Sequence, residues 1–65
     1  MLNVGEKIRE LRTERKMSQD ELSKASGVNR TTISMIETDK VDSVTTGTIA
    51  AIAEALGVSV RIFFE

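Results

Sequence analysis

The sequence predicts an all-α fold, a compact domain of four to five short helices spanning residues 1–65. Three observations predict it. The chain has no Pro and four Gly, so few positions force a helix to break. Apolar residues recur at three- and four-residue spacing through most of the chain, the signature of a helix with one buried face. Most telling is a helix-start pattern that occurs four times: an apolar residue, a polar capping residue, and an apolar residue four positions after the cap. In this hydrophobic staple the two apolar groups pack together and fix how the chain enters the helix.

Taken in order, the first helix starts at Asn3 as cap with Glu6 in its first turn, carries Val4, Ile8 and Leu11 at helical spacing, and fades near Arg15–Lys16. Met17-Ser18 and Leu22 form the first staple, and Glu21 completes a capping box with Ser18. The second helix therefore runs over Gln19–Ser26 and stops at Gly27, the residue best suited to a left-handed cap. Val28-Asn29 with Ile33 opens a third helix over Arg30–Glu37. Val44-Thr45 with Ile49 opens a fourth over Thr46–Leu56, which buries Ile49, Ile52, Ala53 and Leu56 and ends at Gly57. Gly47 in its first turn costs about 1 kcal/mol of helix propensity relative to Ala. The last segment supports two readings. Ser59 with Val58 and Phe63 marks a fifth helix over Val60–Phe64, the preferred one, while Val58, Val60, Ile62 and Phe64 also alternate as a strand does.

Composition narrows the function. Without Cys or His there is no disulfide, no thiolate metal site and no imidazole base. No carboxylate cluster has the spacing of a calcium loop, so no metal and no cofactor are expected. A chain of 65 residues has little material for a water-excluding pocket, and its many hydroxyls have no base beside them; an enzyme is not expected. Glu6, Lys7, Arg9 and Glu10 interrupt any apolar run near the start, and Val44–Leu56 is too short for a membrane span. The expectation is a soluble, cytoplasmic protein. Net charge is −1, with eight basic and seven acidic groups in residues 1–40 and Arg61 against Asp42, Glu54 and Glu65 beyond. That balance permits nucleic-acid binding without arguing for it.

Two short helices around a tight turn at Gly27, roughly residues 18–38, make a helix-turn-helix. At about 100° per residue, Ile33 and Ile36 share one side of the third helix, with Glu37 on the same side. The opposite side carries Thr31, Ser34, Met35 and Thr38, with Arg30 at the entrance. A merely solvated face is usually rich in Lys and Glu. Hydroxyls, one Met and one Arg instead let a helix approach a surface closely.

These residues resemble a known family. Leu11-Arg12, Met17-Ser18-Gln19, Glu21-Leu22, Gly27-Val28-Asn29-Arg30-Thr31-Thr32-Ile33-Ser34 and Ile36-Glu37, in register with Ile52-Ala53-Glu54-Ala55-Leu56-Gly57-Val58-Ser59, look like the phage repressor/Cro-like helix-turn-helix family, the xenobiotic-response-element type of bacterial regulators. The resemblance covers essentially the whole chain. It implies a repressor-like transcriptional regulator bound to a double-stranded DNA operator. It also implies that Gln19 holds a phosphate, that Arg30, Thr31 and Met35 face base edges in the major groove, and that Asn29 and Ser34 touch phosphate or base. Arg12 and Glu37 are implied as a structural ion pair. Lys40, just past the third helix, is placed for a phosphate, although Asp39 and Asp42 flank it. Ser23 stands where the family usually has Ala, and Thr38-Asp39 replaces the usual Asn-Gly.

Each residue also has a plainer reading: Gln19 as an exposed first-turn residue, Arg30 as a solvated cation, Met35 as core filler or a dimer contact. Phe63 and Phe64 are more aromatic surface than one core position needs, so residues 58–65 are expected to join two copies in a homodimer, with both Phe at the interface and Phe63 also the candidate for the core. The rival from another class is a protein-interaction module, such as an antitoxin that binds a toxin with the same fold.

Overall fold

Four helices follow one another: α1 (Val4–Glu14), α2 (Gln19–Ser26), α3 (Arg30–Glu37) and α4 (Thr46–Leu56). A single 3-10 turn, Val60–Phe63, comes after α4 in the computed structural model, which describes residues 4–38 and 44–63. Asn3, Lys40, Asp42 and Phe64, each given a role above, lie outside the described residues.

The helix starts follow from local chemistry. The backbone amide of Glu21 donates to Ser18 Oγ at 3.0 Å while the Ser18 amide donates to Glu21 Oε1 at 2.8 Å, so two otherwise orphaned donors are satisfied reciprocally. The Thr31 amide donates to Asn29 Oδ1 at 2.7 Å and the Thr48 amide to Thr45 Oγ1 at 3.1 Å. Both helix ends predicted at glycine are left-handed caps, with φ of 78° at Gly27 and 74° at Gly57. The chain leaves α1 through Lys16, which takes a φ of 56°.

Every apolar residue that precedes a cap, Met17, Val28, Val44 and Val58, is partly buried against the core. Ile8, Leu22, Ile33 and Ile52 are fully buried at its centre, each contributing about 1.5–3 kcal/mol by leaving water. Around them α2 packs on α3 and α4, α1 on α3, and the 3-10 turn on α4. Gly5 sets the approach of α1 to the end of α3, because a Cβ there would collide with the carbonyl oxygen of Ile36.

The last segment takes neither predicted form in full. Its backbone closes an i to i+3 bond, with the Ile62 amide donating to the Ser59 carbonyl at 3.1 Å, and one such turn is too short to nucleate an α-helix. No strand occurs among the described residues, so the alternation of Val58, Val60 and Ile62 finds no ladder to join. Phe63, expected at a dimer interface, is 4% exposed and closes the core over α4. The ring takes the core place that the staple spacing from Val58 assigned to it. No helix among the described residues is long and apolar enough to cross a membrane.

Candidate nucleic-acid interface

The position of α3 is held from its inner side by one carboxylate. Glu37 ends the helix with a side chain only 3% exposed. Arg12 of α1 meets it with two parallel bonds, Nε to Oε2 at 2.9 Å and Nη2 to Oε1 at 3.1 Å. Its third nitrogen, Nη1, donates to the Met17 carbonyl at 2.7 Å. Gln19, at the start of α2, donates Nε2 to Glu37 Oε1 at 3.2 Å. One buried carboxylate thus accepts donors from α1 and α2 while terminating α3. Geometry of this quality is what a buried ion pair needs to offset the loss of hydration. Ser23 adds a further tie within the motif, donating Oγ to the Val28 carbonyl at 2.6 Å across the turn.

The outer side of α3 is built from different groups. Arg30, Thr31 and Met35 are exposed and Ser34 is half-buried. Met35 is 38% exposed and is the one large hydrophobic residue exposed among the described residues. Together with Gln19 these side chains line a shallow concavity of about 240 Å³ between the start of α2 and the outer face of α3. Five residues that the resemblance implicates in DNA contact, Gln19, Arg30, Thr31, Ser34 and Met35, therefore share one surface. Asn29 stands at the entrance to α3 with its Oδ1 engaged by the Thr31 amide. Phe63 lies apart from this surface, in the core beneath α4.

Two features of this surface were not foreseen. Gln19 belongs to the Glu37 network as well as to the outer groove. Asp20, the next residue along α2, faces Arg30, with Oδ1 3.3 Å from Nε and both side chains about two-thirds exposed. No sequence spacing announces either contact, because each depends on how α2 and α3 pack: the first joins the start of α2 to the end of α3, the second the two helix starts.

Two short helices around a tight turn, held by a buried carboxylate and with Arg30, Thr31 and Met35 turned outward, define the class of a helix-turn-helix domain. The chain matches the model of the helix-turn-helix family over residues 8–63 and belongs to that Cro/C1-type family, whose members are DNA-binding regulators. No curated protein and no solved structure matches the chain significantly.

Proposed function

We propose that this protein is a repressor-like transcriptional regulator, bacterial or phage and cytoplasmic, that reads a specific double-stranded DNA operator with α3 in the major groove. The observation that carries this reading is the convergence of Gln19, Arg30, Thr31, Ser34 and Met35 on one open surface between the start of α2 and the outer face of α3. The major groove, about 12 Å wide, admits a helix, and small hydroxyl side chains let the backbone come close to the bases.

The roles follow from the donors and acceptors present. Arg30 presents a planar fork that matches guanine O6 and N7, and Thr31 and Met35 offer apolar contact to thymine methyls. The Gln19 amide nitrogen has two hydrogens, so one can stay on Glu37 while the other meets a phosphate. Phosphate contact at this point fixes the register of α3 on the duplex. Asn29, its oxygen engaged by the backbone, has its amide group to donate to a phosphate or base edge. Ser34 serves the same surface, and Lys40 supplies a phosphate contact beyond α3.

One helix of this length reads only a few base pairs. The protein accordingly acts as a homodimer on pseudo-palindromic half-sites about 34–36 Å apart, joined through residues 58–65 with Phe64 in the contact. Selection of bound sequences from a random pool of duplexes tests class and stoichiometry together. An enriched palindrome supports the reading, and sedimentation on that site should give two copies per duplex. No enrichment even at low salt would sink it and would favour a protein partner, such as a toxin bound by the same fold.

A further inference from the structure

We propose that Asp20 is a specificity-determining residue of the DNA-reading surface, one that weakens docking on the wrong sequence more than on the right one. The inference rests on the DNA-binding reading above and adds to it a group that opposes DNA. Asp20 is the second residue of α2, directly beside Gln19, and its carboxylate lies 3.3 Å from Arg30 Nε. With side chains 64% and 67% exposed for Arg30 and Asp20, this pair adds little to stability. Its consequence falls on what the surface meets.

Two effects follow from the geometry. The Asp20 contact is to Nε of the guanidinium, and the two terminal nitrogens suffice for a bidentate contact to guanine O6 and N7. Biasing Arg30 toward one orientation before binding reduces the side-chain freedom lost when that contact forms. At the same time a negative charge stands next to the proposed phosphate contact at Gln19. Attraction to phosphates supplies nearly all non-specific binding, so a carboxylate there opposes docking on every sequence. On the correct site the oriented Arg30 offsets that opposition, and on other sequences nothing does. The net charge of −1 fits a protein that gains little from general attraction to DNA.

The test uses the full chain as wild type, D20N, R30A and the double variant. Each is titrated with the enriched duplex and with a scrambled duplex of equal length and composition, over a series of salt concentrations. D20N keeps the side chain's shape and removes its charge, and circular dichroism verifies that each variant is folded. D20N should bind the scrambled duplex about three- to tenfold more tightly, with a salt slope steeper by about 1. On the enriched duplex it should gain less than about twofold, because the pre-orientation of Arg30 is weakened as repulsion is relieved. With R30A in the background, D20N should tighten both duplexes by the same factor. Equal tightening on both duplexes while Arg30 is present overturns the proposal, as does an unchanged affinity for the scrambled one. A wild-type protein that binds no duplex, or binds both alike, fails at the first titration; that result sinks the DNA reading itself and the role of Asp20 with it.

Discussion

On its inner side α3 presents Ile33 and Ile36, 0% and 3% exposed, and Glu37, whose carboxylate accepts from Arg12 and Gln19. On its outer side, less than a turn away, it presents Thr31 and Met35 in the open, with Arg30 held only by another exposed side chain. The inner residues are constrained by volume, by hydrogen-bond direction and by a backbone approach at Gly5 that tolerates no Cβ. The outer residues are constrained by almost nothing within the chain. Placing a helix and choosing what it reads are therefore separate tasks in this protein, carried by residues one position apart. A similar contrast divides two glycines. Gly5 and Gly47 both lie in the first turn of a helix, but a Cβ at Gly47 would meet nothing within 4 Å.

Substitutions can break this separation or sharpen it. The largest effect is expected from Arg12→Ala, which leaves the buried Glu37 carboxylate with Gln19 as its remaining side-chain donor. Stability should fall by about 3 kcal/mol, read by urea denaturation with far-UV circular dichroism, since the chain has no Trp or Tyr to report by fluorescence. A loss below about 1 kcal/mol would mean that the pair behaves like a surface one. Gly5→Ala should follow, at about 1–3 kcal/mol, as α1 is pushed off the end of α3; unchanged stability would show that the two helices stand farther apart. On the outer side, Arg30→Ala should leave stability within about 0.5 kcal/mol while costing about 1–3 kcal/mol of binding on the enriched site and relaxing preference at one base pair. Equal weakening on every sequence would instead make Arg30 a phosphate anchor. The smallest effect, and the one of opposite sign, is Gly47→Ala. With open space around it and no positive φ, the change should stabilise α4 by about 0.5–1 kcal/mol, seen as a higher urea midpoint.

Much of the fold was legible because its signals are local. Ser18 with Glu21, Asn29 with Thr31 and Thr45 with Thr48 are separated by two or three residues, and each bond forms wherever the helix does. The starts of α2, α3 and α4 follow from these caps, and the ends of α2 and α4 from Gly27 and Gly57. The outer face of α3 was readable from angle alone, once Ile33 and Ile36 were assigned to the core. The last segment was less so, since Val58–Phe63 satisfies two periods at once and only the packing of Phe63 on α4 selects between them. Gly5 was passed over because a glycine in a helix's first turn carries no mark of the neighbour it approaches.

By itself, then, the sequence determined which segments are helical, where they start and stop, and which stripe of each turns inward, since these rest on contacts within about one turn of helix. Tertiary structure alone decided that Gln19, 18 residues away in sequence, shares the Glu37 carboxylate with Arg12, 25 residues away. It also decided that Asp20 faces Arg30 and that the last segment closes as a 3-10 turn. Such contacts depend on the distance and angle between packed helices, which the shapes of many core side chains set jointly and no single spacing encodes.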